Sequence, residues 1–234
     1  MYREVTSIYP LPGHHVQNCL LKHETIQINH INYNIRSLKN KQQFYDHEDR
    51  ALALGISSAT WPLFGVVWPA ARILAQTVCV FEIGNKRVLE IGCGIALSSI
   101  VLHKMGVDIT ASDYHPLAQE FLDINVLNNH LLPIRFATGN WEIENPLLGE
   151  YDLIIGSDIL YEPAHAEFVS QFISLHSNNQ VEVIIVDPNR GNRANFTRKM
   201  IALGYSHRFD SFNVTDVDNI VCKGRILHYQ RGHH

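Results

Sequence analysis

Long hydrophobic runs, clustered cysteines, an excess of charge and internal repeats are all missing from this 234-residue chain, and each absence excludes a class of function. No stretch reaches the eighteen or so apolar residues that a membrane helix needs, and no charged segment followed by an apolar one opens the chain as in a secretory leader. Cys19, Cys79, Cys93 and Cys222 are scattered, with no C-x-x-C or histidine-rich ligand spacing. They read as reduced thiols, which argues against a disulfide framework or a structural zinc site. Nineteen basic residues against twenty-three acidic ones leave a net charge of −4. No basic stripe, aromatic ladder or zinc knuckle accompanies that balance, so nucleic acid is not an expected partner. Fourteen histidines make the balance sensitive to mild acid. A soluble, cytoplasmic, monomeric protein without a metal or a membrane partner is the expectation.

With 46% hydrophobic residues, the chain can bury the core of one α/β domain. The expected division is an N-terminal extension over 1–54 and a main domain over 55–234. The stretch from Arg87 to Asp113 organises the rest. Val88 to Ile91 is a short buried strand; Gly92-Cys93-Gly94 turns into an apolar helical run from Ile95 to Met105; Gly106 stops it, and a second strand ends at Asp113. Strand, glycine turn, helix, strand, acid is the first half of a nucleotide-binding βαβ unit. Its glycines let the backbone approach a ligand, and the terminal carboxylate can accept both hydroxyls of a ribose. A dinucleotide site wants Gly-x-Gly-x-x-Gly, but Leu97 stands at the third glycine and Glu90 precedes the turn. A buried carboxylate there repels a pyrophosphate and favours a cationic ligand. S-adenosylmethionine, with a ribose, an adenine, a sulfonium and an ammonium but no phosphate, fits better than NAD; an ordinary βα turn without a ligand is the plain alternative.

Ahead of this unit, Ile26-Gln-Ile28 and Ile31-Asn-Tyr33-Asn-Ile35 alternate apolar with polar and predict a small antiparallel hairpin. Asp46 to Leu54 reads as a short helix ended by Gly55. Two Trp-Pro pairs, Trp61-Pro62 and Trp68-Pro69, frame Gly65. Pro69 suits the first turn of a helix over 70–81 with Ile73, Leu74, Val78 and Phe81 on one face. Trp68 at its entrance either lies over a ligand or packs in the core. After Asp113 the βα alternation continues. A helix from Pro116 to about Asn129 carries Leu117, Phe121, Ile124 and Leu127 as its stripe. Strands follow over 134–138, 151–157 and 181–186, with a helix opened by Pro163 and another over 192–203. Continuous apolar strands such as 151–157 are those of parallel sheets covered on both faces. Strands 205–212 and 225–230 close the chain with no helix between them.

Trp68-Pro-Ala-Ala71, Leu89-Glu-Ile-Gly-Cys-Gly94, Ser112-Asp113, Asn140-Trp141 and Ser157-Asp-Ile-Leu-Tyr161 occur in the order found in seven-strand (class I) methyltransferases. Over residues 55–230 the chain resembles their family-16 lysine methyltransferase group. The glycine motif is common to all class I enzymes; Trp-Pro-Ala together with Asp-x-x-Tyr is far more specific. The resemblance implies a Rossmann-like, mostly parallel sheet with an antiparallel last strand, helices on both faces, and S-adenosyl-L-methionine as cofactor. It implies that Gly92, Cys93 and Gly94 line the methionine part with Glu90 beneath, Asp113 binds the ribose, Trp141 packs on the adenine, Trp68 closes the pocket and Ser157 faces the cofactor. Asn140 replaces the usual aspartate before the tryptophan; it can hydrogen-bond an adenine edge but carries no charge.

The resemblance also places Asp158 and Tyr161 beside the transferred methyl. A turn brings positions three apart to one side, so the two can flank one amine, the carboxylate by hydrogen bonds and the ring by cation–π attraction of roughly 0.5–2 kcal/mol. A carboxylate raises the amine's pKa, whereas desolvation by Trp and Tyr lowers it. Asp158 also suits a helix N-cap ahead of Pro163. Arg190 in Asp187-Pro-Asn-Arg190 either meets an acidic group of the substrate or ties down its own loop; His115 and His165 read as surface or capping residues. The leading expectation is methylation of a protein lysine. Histidine, arginine or a small amine is the alternative acceptor; an NAD-dependent oxidoreductase, disfavoured by Leu97 and the lack of a Tyr-x-x-x-Lys pair, and a non-catalytic scaffold stand further off.

Overall fold

A computed structural model describes residues 19–143, 145–146, 148–215 and 221–232. The first eighteen residues of the expected extension, and the two terminal histidines, lie outside them. Seven strands form one sheet: β3 (Val88–Ile91), β4 (Ile109–Asp113), β5 (Arg135–Thr138), β6 (Tyr151–Ser157), β7 (Ser177–Asp187), β8 (Ser206–Thr215) and β9 (Val221–Arg231), in the order β5-β4-β3-β6-β7-β9-β8. All neighbours from β5 to β7 are parallel, and β9 runs antiparallel to both β7 and β8. This is the expected mostly parallel sheet with an antiparallel last strand. The order reverses between β3 and β6, the switch point where open α/β sheets leave a crevice at the carboxyl ends of their strands.

β3 is buried along its whole length, which explains why Val88-Leu-Glu-Ile91 reads as a continuous apolar strand broken by one acid. Its side chains alternate between two cores. Val88 joins Leu153 and Ile155 of β6 on the face covered by α2 (Pro69–Cys79), α3 (Leu97–Lys104) and α4 (Ala118–Asn128). Leu89 and Ile91 join Ile154 on the face covered by α5 (His165–Leu175) and α6 (Arg193–Ala202). Glu90 therefore points toward the α3 side.

The hairpin of β1 (Leu21–Ile28) and β2 (Ile31–Leu38) is held by the first face. Two asparagines of α4 dock it. Asn125 accepts from Arg36 N at 2.7 Å and donates to Arg36 O at 3.1 Å; Asn129 does the same with Asn34, at 2.9 Å each way. Spaced by four on one helix face, the two amides pair with alternate peptides of β2 as a neighbouring strand would. This corrects the apolar stripe expected for α4: Leu127 is 58% exposed, and Asn125 and Asn129 are buried in its place. Arg72 of α2 adds an ion pair to Glu24 at 2.7 Å.

Several boundaries differ from expectation for local reasons. The helix expected over 46–54 shrinks to α1 (Arg50–Ala53) because the Asp46 carboxylate stands off and accepts the Ala51 and Leu52 amides at 3.1 and 2.8 Å. Pro62 sits in a 3-10 turn, Trp61–Gly65, while Pro69 is the first residue of α2; Phe81 lies beyond that helix's end. α4 and α5 each start two residues later than the prolines suggested, at Ala118 and His165.

Candidate active site

The turn after β3 is built on left-handed backbone. Gly92 and Gly94 have φ of +58° and +55° and Ala96 has +59°, a conformation glycine adopts freely. Space requires glycine too. A Cβ on Gly92 would lie 2.8 Å from Ile159 and 3.0 Å from the Trp141 ring, and one on Gly94 would lie 2.7 Å from the Phe64 carbonyl oxygen. Three separate segments thus close on these two residues: the Asp158–Tyr161 turn, the Trp141 loop and the 3-10 turn. Cys93 is buried, its N–H donating to Ser112 O at 3.0 Å.

Asp113 closes the turn from the tip of β4. Its Oδ2 accepts Gly94 N at 2.7 Å and its Oδ1 accepts His115 N at 2.8 Å. Each oxygen keeps a second lone pair, and the residue stays partly exposed, so the carboxylate can still accept hydroxyls. Burial raises its pKa, with the amide bonds opposing. Glu90 is 3% exposed and turned into the helix start: its Oε2 accepts both Ser99 N at 2.8 Å and Ser99 Oγ at 2.5 Å. Desolvation pushes it up to about 7 despite those bonds. Glu90 thus braces the floor of the glycine turn.

On the other side, Trp141 packs over Gly92, and its Nε1 has no partner among the described residues. Asn140 spends its Oδ1 on Glu142 N at 2.9 Å, fixing the turn that carries Trp141. Trp68 donates Nε1 to Leu63 O at 2.8 Å, which anchors its half-buried ring at the mouth of α2. The other tryptophan, Trp61, is the core residue: it is fully buried and edge-on to Phe64 and His115.

Ser157 ends β6 half-buried, and Asp158 follows at φ +55° with its N–H on Val186 O at 2.9 Å. Arg190 grips Asp158 with both ends of its guanidinium, Nε to Oδ1 at 2.7 Å and an Nη to Oδ2 at 2.6 Å. This corrects two expectations. Asp158 does not cap α5, and the Arg190 side chain does not tie its own loop, which Asp187 already closes by accepting Asn189 N and Arg190 N. Tyr161 lies 44% exposed, edge-on to His165 at 4.5 Å. Desolvation, then the charges of Asp113, Glu162 and Asp158, raise its phenol to about 12.

His165 carries more of the site than its sequence suggested. Nδ1 donates to Ile159 O at 2.9 Å, and the ring stands edge-on between Trp141, at 5.1 Å, and Tyr161. Burial lowers its pKa, so it braces the two aromatics as a neutral ring. His115 is no surface residue either. It is buried, stacked on Phe64 at 3.7 Å, and held neutral by a pKa lowered to about 3 through desolvation. His115 Nδ1 does accept Leu117 N at 3.2 Å at the start of α4, as a capping residue would, but the Phe64 and Trp141 rings that bury the two histidines come from distant segments. Among the described residues there is no acid, histidine and cysteine cluster able to hold a metal, and no helix long and apolar enough to cross a membrane.

A family model described as lysine methyltransferase matches residues 55–201, which span the glycine turn, the Asp113 tip, Trp141 and the Asp158–Arg190 pair. The chain belongs to this family. It is 32% identical over 142 residues to protein N-lysine methyltransferase METTL21A of Xenopus tropicalis, covering 54% of this chain and 62% of that protein. It is 33% identical over 108 residues to histone-arginine methyltransferase METTL23 of Xenopus laevis, covering 43% and 46%. This methyltransferase-family chain thus spans less than two thirds of the length of these relatives. Among solved structures, a methyltransferase from Pyrococcus furiosus has the same fold, with a TM-score of 0.58, 21% identity and coverage of 71% of this chain and 84% of that one.

Proposed function

We propose that this protein uses S-adenosyl-L-methionine to N-methylate a lysine of a protein substrate. The observation that carries the reading is the meeting of Asp158-Ile-Leu-Tyr161 with the glycine turn: Ile159 seats on Gly92, so the carboxylate and phenol of one turn border the ligand cradle of the other. The cradle fits the cofactor. It offers a turn with two glycines at positive φ, a carboxylate with spare acceptor capacity and an indole with an unpaired N–H.

S-adenosylmethionine supplies a methyl group on a sulfonium. Gly92, Cys93 and Gly94 admit its amino-acid end over the floor braced by Glu90. Asp113 takes the ribose hydroxyls, Trp141 and Asn140 the adenine side, and Trp68 and Ser157 the remaining walls. Asp158 orients the acceptor amine and Tyr161 walls it with an aromatic face. Alignment of this kind supplies up to roughly 7–11 kcal/mol of a displacement barrier.

One observation favours a second acceptor. Asp158 already holds a guanidinium in a two-pronged grip, the spacing an arginine substrate would need. Lysine is preferred because Arg190 fills that slot. The test is labelled S-adenosylmethionine with purified enzyme in a lysate from cells lacking it, followed by mass spectrometry of the modified residue. Methyl-lysine that vanishes with Asp158→Ala, while S-adenosylhomocysteine still binds, supports the reading. Methyl-arginine would shift it to the second acceptor, and transfer undiminished in Asp158→Ala would refute the assigned roles.

A further inference from the structure

The Asp158 side chain is 9% exposed, and the guanidinium that pairs with it is 42% exposed. Nothing else in the loop needs that arginine side chain. Asp187 fixes the Asn189 and Arg190 amides at 3.1 and 3.4 Å, and Asn189 and Gly191 take the positive φ the turn demands. The guanidinium also stands over the Trp68 ring at 6.0 Å, facing the mouth of the cradle. An arginine whose own loop is closed without it, bonded through both prongs to the carboxylate beside the acceptor, has an electrostatic part to play.

The problem it answers is general. An amine attacks only through a free lone pair, yet a lone carboxylate within about 4–6 Å favours the ammonium by roughly one to three pKa units. Resting on the proposed function, we infer that Arg190 is a positioning residue that neutralises Asp158, so that the carboxylate orients the acceptor amine without holding it protonated. The ammonium loses its proton to water before transfer. The nitrogen lone pair then forms the N–CH₃ bond as the S–CH₃ bond breaks, its electron pair returning to sulfur, and the methylated ammonium gives a second proton to water.

The surrounding charges leave this role to Arg190. Asp187, 1% exposed, already has Arg193 of α6 at 3.5 Å. Tyr161 and Glu162 share the turn of Asp158, and neither brings positive charge. His165 of α5 faces Tyr161 and is neutral. Lys41 lies against the Trp68 ring at 4.8 Å, and from β9 Cys222 acts on Arg190. Asp113 reaches Tyr161 from the tip of β4. Hydrogen bonding to Asp158 raises the Arg190 pKa further, so the compensating charge persists at every working pH.

The test reads the amine directly. Butylamine labelled with ¹³C beside its nitrogen is bound to the S-adenosylhomocysteine-loaded protein and titrated by NMR from about pH 6 to 11, a range that brackets an ordinary amine. Arg190→Gln should move the bound amine's midpoint up by about one unit or more, a tenfold loss of neutral amine at any lower pH. Asp158→Asn with Arg190→Gln should bring it back near the wild-type value. In the lysate assay, Arg190→Gln should displace the rising limb of the pH–rate profile to alkaline pH. Coincident midpoints, no butylamine binding, or a rate lowered equally at all pH would overturn the inference. If the midpoints separate as stated but no methyl-lysine forms, the lysine reading falls and the role of Arg190 stands. If methyl-lysine forms and the midpoints coincide, the reverse holds.

Discussion

At the tips of β3 and β4, backbone amides and one hydroxyl hold the carboxylates of Glu90 and Asp113; at the tips of β6 and β7, guanidinium groups reach those of Asp158 and Asp187. The first pair binds within its own βαβ unit, Glu90 to a residue nine positions on and Asp113 to one nineteen back. Asp158 finds its partner thirty-two residues away, across a helix and a strand. The first half is held by neutral donors that cannot leave. The second neutralises its charge with a side chain that can be removed. Two kinds of partner, amide and guanidinium, thus hold the carboxylates along one sheet edge.

Breaking the first half should have the largest effect. Gly94→Ala places a methyl 2.7 Å from the Phe64 carbonyl at a φ of +55°. Backbone strain and overpacking together should cost about 4 kcal/mol. S-adenosylhomocysteine affinity by calorimetry should fall about a hundredfold or more, on the order of 2.7 kcal/mol, because the Asp113–Gly94 bond opens. A variant with wild-type melting and affinity would show that the turn is not under this constraint.

The pH dependence of stability comes next. Glu90, raised to about 7 by burial, keeps a proton in the folded state that the unfolded chain gives up above about pH 4.5. Stability therefore falls as pH rises from about 4.5 to 7, by about 3 kcal/mol at the limit. His115, lowered to about 3, has the opposite sign: the unfolded chain takes up a proton below pH 6.5 that the folded state refuses, so stability rises with pH across that range. The two slopes oppose one another between about pH 4.5 and 6.5. Glu90→Gln, which can still accept from Ser99, should stabilise the protein at pH 8 and expose the rising slope; His115→Phe should expose the falling one. Urea midpoints measured across this range decide it, and an unchanged slope in Glu90→Gln would mean that Glu90 is already ionised there.

The same contrast divides what is legible in the amino-acid order from what is not. Val88–Ile91, the glycines and Asp113 lie within twenty-seven residues, and their spacing alone implies a strand, a turn, a helix and a carboxylate at a strand tip. The antiparallel β9 is legible because no helix separates the last two strands. The grip of Arg190 on Asp158 is not, since its two ends meet only when β6 and β7 lie side by side. Asn125 and Asn129 escape because periodicity counts apolar residues, and an asparagine that serves a foreign strand looks like a solvated one. The two Trp-Pro pairs look alike, yet Trp61 enters the core and Trp68 the rim. The difference is the 3-10 turn between them, which no local rule announces.

Removing the other guanidinium sharpens the comparison within the second half. Arg193→Ala takes from Asp187 a contact at 3.5 Å but leaves it two turn amides, so the loss should be about 1–2 kcal/mol of stability. Its pH–rate profile should keep the wild-type midpoint, because the Arg190–Asp158 pair stays in place. A midpoint that moved as far as that of Arg190→Gln would mean that the net charge of the loop, and not the individual pair, sets the amine.

The smallest effect belongs to Lys41, the other cation on the Trp68 ring. Its ammonium lies 4.8 Å from the centroid on an exposed segment, and such a contact is worth about 0.5 kcal/mol in water. The ring does not depend on it, since Trp68 Nε1 is already anchored on Leu63 O at 2.8 Å. Lys41→Ala should therefore weaken S-adenosylhomocysteine binding about twofold and leave the bound amine's midpoint in place, whereas Arg190→Gln moves the midpoint. The two cations share one ring but only one reaches a carboxylate, so a tenfold loss of affinity in Lys41→Ala would place Lys41 on the cofactor itself and extend the amide-held half of the site to include a charged side chain.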